Sequence, residues 1–134
     1  MSTLYHPLVV HFPVALWLTS ALFDILYLRG GQRFHLRAGQ YLIGLGLLAA
    51  VGSVVTGFVD YGPLVREGIG QAFVDRHRTH SLLAYGAMLI YALAFYLRWR
   101  FPQPPRGVLA GLTAAGAALI ASVGWLGGEL RLVM

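Results

Sequence analysis

The sequence predicts an all-α integral membrane protein, a four-transmembrane-helix bundle of up-down-up-down topology with both termini on the extracytoplasmic side. Its composition is the first indication: of 134 residues, 57% are hydrophobic and only 11% are charged, whereas a soluble domain has about 25% charged residues. Four long apolar segments and an uneven distribution of arginine among the loops are the second and third indications. Because such a chain cannot cover itself with a polar surface, we expect it to cross the lipid bilayer several times as one domain, residues 1–134.

Four apolar segments have the length that a bilayer crossing needs, roughly 17–25 residues. The predicted spans are residues 7–28, 40–59, 81–97 and 108–126. Pro7 suits the first turn of the first helix, and Pro13 should kink that helix just below His11 because it removes a backbone hydrogen bond. The second and fourth spans are rich in glycine, alanine and serine, which allow helices to approach one another closely in lipid.

The loop between the second and third spans, residues 60–80, is longer than the other two loops. Its stretch 64–74 is mildly amphipathic, which is typical of either a short interfacial helix or an early start of the third span. The two halves of the chain also share a histidine-rich start followed by a helix of small residues. This similarity alone is too weak to indicate an internal repeat.

The distribution of arginine among the loops predicts the orientation of the protein in the membrane, because loops on the cytoplasmic side carry an excess of basic residues. The loops after the first and third spans hold three arginines each and no acid, whereas three acids balance three arginines in the middle loop. The arginines of the two basic loops are Arg29, Arg33 and Arg37, and then Arg98, Arg100 and Arg106. We therefore expect a multi-pass protein of a prokaryotic cytoplasmic membrane, with the middle loop and both termini outside.

Four histidines are the residues best suited to a chemical or ligand-binding role. His6 and His11 open the first span, and His77 and His80 open the third. In an up-down-up-down bundle these two helices are parallel, so all four histidines lie at the same, extracytoplasmic end. Ionisable groups at membrane depth are expensive and usually mark a functional site. His6 and His11 are five residues apart, about 140° around a helix, so only one is expected to face the bundle interior, and we favour His11 because it lies deeper.

Histidines on facing helices of a bundle can hold a haem from both sides or share a metal ion. We therefore predict a haem b site with His11 and His80 as ligands and with His6 and His77 nearby. A copper or zinc site made by the four histidines with Asp60 is the alternative, since imidazole and carboxylate suit those metals.

Several charged residues are placed to support such a site or to pair with one another. Asp60 ends the second span at the depth of the histidines, where it is expected to accept the ring N–H of a ligand. Arg76, Arg78 and Arg131 are candidate partners for haem propionates. At the other end of the first span, Asp24 is expected to pair with Arg29. His35 is expected to be a solvated loop residue.

The start of the chain resembles an uncharacterised prokaryotic family of small four-helix membrane proteins. The matching features are His6-Pro7-Leu8-Val9-Val10-His11-Phe12-Pro13, Gly57-Phe58-Val59-Asp60 at the end of the second span, and His80 at the start of the third. Members of that family are sometimes fused to cytochrome c modules or encoded near respiratory components. The resemblance, which covers essentially the whole chain, implies a redox-linked membrane domain that binds haem, with Phe12 and Pro13 as shaping residues.

Three functions remain open at this point. The first is a b-type haem protein that exchanges electrons at the outer face with a quinol, a cytochrome c or a larger complex. The second is the copper or zinc site. The third is a non-catalytic accessory subunit of a respiratory or photosynthetic complex, or a homo-oligomer. A stand-alone enzyme is less favoured, because no nucleophile–base pair or phosphate loop is evident. Nucleic acid is not expected as a partner, and the absence of cysteine excludes disulfides and thiolate ligands.

Overall fold

The structure, a computed structural model, describes residues 5–132, and the side chains of residues 5–130. It confirms the predicted all-helical fold with four helices long and apolar enough to span a membrane. A short helix α1 (His6–Val9) leads into α2 (His11–Gly30), and three longer helices follow, α3 (Arg33–Arg66), α4 (Gln71–Arg100) and α5 (Arg106–Leu132). Together α1 and α2 form the first of the four spans.

The four spans form a ring in which α2 and α4 each pack against both α3 and α5. Consequently α2 and α4 face each other across one diagonal of the bundle, as the up-down-up-down topology predicts. Most large apolar side chains point outward, among them Leu48, Leu89 and Trp125, which are more than 70% exposed. Such a surface suits the hydrocarbon core of a bilayer rather than water.

Pro13 interrupts the first span, but the interruption precedes His11 in the sequence, whereas the predicted kink followed it. The interruption lies at Val10, between α1 and α2. Proline has no N–H with which to bond the carbonyl of Val9, so the helix is broken one turn before the proline itself. The turn is held by the Val10 amide, which donates to the carbonyl of His6 at 3.0 Å.

The predicted long middle loop is wrong, because most of it is helical. Helix α3 continues through Pro63 to Arg66, and α4 begins at Gln71, so the connection is only residues 67–70. Pro63 costs α3 one hydrogen bond, because it has no N–H to donate to the carbonyl of Val59, but the next turn still forms, with the amide of Glu67 donating to the Pro63 carbonyl at 3.0 Å. Of the two readings of stretch 64–74, the early start of the third span is therefore the better one. Gly68, at a φ of +78°, makes the turn.

Candidate functional site

A cavity of about 610 Å³ lies between the helices at one end of the bundle, and all four predicted histidines line it. We call this end, which contains His6 and His80, the histidine end. Asp60 also lines the cavity, and most of the remaining wall is apolar. Its volume falls within the range of about 300–1,000 Å³ that is common for small-molecule and cofactor sites.

His6, and not His11, turns towards the bundle interior. The Nδ1 atom of His6 lies 2.7 Å from the carbonyl oxygen of Ser53 in α3, and since a carbonyl can only accept, Nδ1 is the protonated ring nitrogen. His11 is exposed and contributes only to the cavity wall. The inward position predicted for His11 is thus wrong, because the side of the first span that carries His6, rather than His11, packs against α3.

His80 is the most deeply placed of the four histidines. Its residue is 8% exposed, and its Nδ1 atom is buried with no hydrogen-bond partner. The backbone of Val123 in α5 lies near this ring. The ring packs on α5 at Gly127, where an added Cβ would lie 3.3 Å from its Cε1 atom.

The rings of His6 and His80 face each other across the diagonal of the bundle. Their centroids are 6.2 Å apart, and their planes are inclined by 88°. One ring is contributed by α1 and the other by α4, so the pair joins elements 74 residues apart. His6 also rests on a glycine, because a Cβ at Gly57 would lie 3.2 Å from its Nδ1 atom.

His77 is part of an aromatic stack at the rim of the cavity. Its ring lies parallel to that of Tyr61, with centroids 3.8 Å apart and an interplanar angle of 4°. Phe73 lies beside both rings, at 6.1 Å from His77 and 6.2 Å from Tyr61. This stack joins the end of α3 to the start of α4, and it was not predicted because Tyr61 and Phe73 fall in the stretch taken for a loop.

Of the charged residues predicted to support the site, Asp60 lines the cavity, whereas Arg76 and Arg78 do not. Asp60 Oδ2 accepts a hydrogen bond at 2.7 Å from the main-chain amide of His6, and not from a histidine ring as predicted. Arg76 lies 3.9 Å from Glu129, with both side chains exposed. Arg78 is exposed as well, and neither arginine lines the cavity. The side chain of Arg131 lies outside the described residues.

An aromatic stack lies in the middle of the bundle, and one of its two rings, Trp17, lines the cavity. Trp17 of α2 and Tyr91 of α4 lie 4.1 Å apart with an interplanar angle of 14°, and both are almost completely buried. Trp17 Nε1 donates to the carbonyl of Ile43 at 3.3 Å. Each ring lies on a glycine, Trp17 on Gly46 and Tyr91 on Gly116, where an added Cβ would come within 3 Å of it.

Beyond this stack lies a buried ion pair that the sequence analysis missed. Arg98 Nη2 donates to Asp24 Oδ2 at 2.5 Å, with side chains only 1% and 2% exposed. Thr113 of α5 donates to the same oxygen at 2.7 Å. The predicted partner Arg29 is instead an exposed residue, and Arg98 belongs to α4 rather than to a loop. We call this end of the bundle the ion-pair end.

His35 also differs from its prediction, because it belongs to the first turn of α3. It is partly buried, with its ring 6.1 Å from that of Phe23 and 5.6 Å from that of Phe34. It lies near the ion-pair end, far from the cavity, and so has no part in the histidine site.

The residues that form these contacts recur at the same intervals in the sequence. His6, Trp17 and Asp24 follow one another at intervals of 11 and 7 residues, and so do their diagonal partners His80, Tyr91 and Arg98. Three contacted glycines in α3 have the same intervals in reverse order: Gly57, Gly46 and Gly39. An offset of 74 residues therefore relates the three contact positions of the first span to those of α4.

The donor atoms do not gather into a compact site for a small ion. Among the residues that the structure describes, no three histidine or acidic side chains come together in a group able to hold a metal ion. Structural zinc usually requires four protein ligands. The arrangement at the histidine end instead offers two imidazoles beside a large apolar cavity.

The fold and the cavity define a four-span helical membrane protein with a polar cluster at one end. The chain belongs to the family described as "Predicted membrane protein (DUF2231)", whose profile matches residues 4–134. Neither the curated proteins nor the solved structures include a match to this chain.

Proposed function

We propose that this protein binds a b-type haem at the histidine end and serves in electron transfer, with His6 and His80 as the axial ligands. His11, first favoured as a ligand, becomes a residue of the cavity wall. The observation that carries the proposal is the pair of imidazoles from diagonal helices, 6.2 Å apart beside a cavity of about 610 Å³.

The separation of the rings suits a shared iron atom. Metal–imidazole nitrogen bonds are about 2 Å long, so two imidazoles on opposite sides of one metal have ring centres about 6 Å apart. A haem supplies four of the six iron ligands itself, so two histidines complete the set. The copper or zinc alternative would need more protein ligands than come together among residues 5–130.

The hydrogen bonding of the two rings also supports this assignment. A histidine ligand usually donates its second ring N–H to a backbone carbonyl or a carboxylate, which orients the ring. His6 does so through Nδ1 to Ser53, which leaves its Nε2 lone pair free to bind a metal. The Nδ1 atom of His80 is buried against α5 beside Gly127, which leaves Nε2 as the nitrogen that would bind a ligand.

The surrounding residues would give the haem its environment. Bound haem supplies one-electron chemistry, while the chain positions it and excludes water. Trp17, which stacks on Tyr91, lines the cavity on the side of the bilayer centre, and Asp60 fixes the backbone of His6. Arg76 and Arg78, exposed at the same end, remain the candidate partners for the propionates.

Orientation and partners follow from the charge distribution. By the positive-inside rule, the arginine-rich ion-pair end faces the cytoplasm and the histidine end faces outward in a prokaryotic cytoplasmic membrane. The haem then exchanges electrons near the outer surface with a quinol, a cytochrome c or a larger redox complex.

An absorption spectrum of the detergent-purified chain tests the proposal, before and after reduction with dithionite. We expect a Soret band and sharp reduced α and β bands, which are lost in His80→Ala and kept in the control His35→Ala. Absence of these bands from protein expressed with ample haem, or their full retention in His80→Ala, would contradict the proposal.

A second candidate, an accessory subunit or homo-oligomer, is supported by the outer face of α5. Besides Gly116 and Gly127, which pack inside the bundle, α5 has small residues on its exposed face, among them Gly111, Ala114, Ala115, Ala118 and Ser122. Small residues on an exposed face allow another transmembrane helix to pack closely. Retention of the chain in a purified respiratory or photosynthetic complex would favour this candidate, and it is compatible with a bound haem.

A further inference from the structure

A second, smaller pocket of about 220 Å³ lies at the ion-pair end, between the start of α3 and the end of α4. We call it the arginine pocket. Three of its seven lining residues are arginines, and none is acidic; the lining consists of Arg33, Leu36, Arg37, Gln40, Arg98, Trp99 and Pro102. It belongs neither to the histidine cavity nor to the proposed haem site.

The charge of this pocket is only partly neutralised. Asp24 balances Arg98 from within the bundle. Arg33 and Arg37 are both exposed, and they stand four residues apart on the same face of α3. Within the described part of the chain, neither forms a salt bridge, so the pocket retains an excess of positive charge.

The wall of the pocket contains an unsatisfied donor. Arg98, whose side chain is 1% exposed, uses Nη2 for Asp24 and Nη1 for the carbonyl of Ala94 at 3.0 Å. Its Nε is buried and has no partner. An arginine held in this way presents a fixed, charged donor, which favours an oxyanion that approaches it.

The pocket lies at the depth of lipid headgroups. Trp99, one of its lining residues, is 70% exposed, and Tyr41, next to Gln40 in sequence, is 73% exposed. Tryptophan and tyrosine concentrate at the membrane–water interface, and basic pockets between transmembrane helices on the cytoplasmic side bind anionic headgroups.

We propose that the arginine pocket binds a phosphate oxyanion at the membrane interface, through Arg33 and Arg37 with Arg98 behind them. Both the headgroup of an anionic phospholipid and free phosphate carry this group. The interfacial aromatic residues favour the lipid, and the experiment distinguishes the two sources.

The test is native mass spectrometry of the detergent-solubilised protein, titrated with phosphatidylglycerol or with phosphatidylcholine. We expect phosphatidylglycerol to bind more tightly, and the double variant Arg33→Gln/Arg37→Gln to lose about thirtyfold in its affinity, since each basic residue near an anionic surface contributes roughly fivefold. The matched control is Arg29→Gln/Arg100→Gln, which removes two exposed arginines that do not line the pocket. All four arginines are exposed, so both double variants are expected to fold.

A parallel calorimetric titration with inorganic phosphate identifies the source. Phosphate binding that is lost in Arg33→Gln/Arg37→Gln but kept in the control would support the oxyanion site and assign it to the soluble anion. Equal losses in the two double variants would overturn the proposal, because they would indicate general surface charge. Equal affinity for the two lipids, together with no binding of phosphate, would overturn it as well.

Discussion

The histidine end and the ion-pair end share one arrangement but differ in the chemistry of the two side chains that meet there. At each end, one side chain from the first span meets one from α4 across the diagonal of the bundle. At the ion-pair end the partners are complementary charges, and Thr113 adds a third contact. At the histidine end the partners are two imidazoles of the same kind, and a large cavity lies beside them.

This difference indicates where the bundle can accept a ligand. Asp24 and Arg98 neutralise each other, as a buried acid and base must do to be tolerated. His6 and His80 are not complementary in charge, and a large cavity lies beside them. We therefore expect the Asp24–Arg98 pair to be mainly structural, whereas the proposed ligand-binding role falls to His6 and His80.

The largest expected effect on stability comes from breaking the Asp24–Arg98 ion pair. Asp24→Ala leaves the buried guanidinium of Arg98 without its counter-charge, which should lower the free energy of unfolding by about 3–5 kcal/mol. Denaturant titration in detergent, followed by circular dichroism, measures this change. Removal of the exposed acid in Glu67→Ala, as a control, should cost much less.

The double variant Asp24→Leu/Arg98→Leu sharpens the interpretation. With both charges removed, most of the lost stability should return, because apolar side chains replace an ion pair that is costly to desolvate. A stability of Asp24→Ala equal to that of the unmodified protein would contradict a buried pair at this position.

A smaller effect is expected at the aromatic stack that separates the two ends. Gly46→Ala would introduce a Cβ only 2.2 Å from Trp17 Nε1, and overpacking of this kind typically costs about 1–3 kcal/mol. In the control Gly86→Ala the new methyl group meets nothing within 4 Å, so it should stabilise the helix by up to about 1 kcal/mol. Changes of the same sign in both variants, measured by the same titration, would contradict the described packing.

The sequence was sufficient to predict the four spans and the histidine end. Span length and the placement of the four histidines depend on local composition and on the alternation of helix direction. Both are visible without knowledge of tertiary contacts.

The pairs of side chains that meet inside the bundle could be identified only from the structure. Asp24 and Arg98 are 74 residues apart, and an exposed Arg29 nearby in sequence was the more obvious partner. The choice between His6 and His11 depended on which side of the first span faces α3, which only the contact between His6 Nδ1 and the Ser53 carbonyl reveals. The ends of α3 and α4 beyond the predicted spans were missed because the spans were predicted from apolar stretches, whereas both helices continue into the more polar residues 60–80.

The most direct test of the account compares the reduced absorption spectra of His6→Ala and His11→Ala, purified in parallel with the unmodified protein. We predict that His6→Ala loses the sharp α and β bands of six-coordinate haem, whereas His11→Ala keeps them at full intensity. Loss of these bands in His11→Ala with their retention in His6→Ala would contradict the assignment of the histidine end.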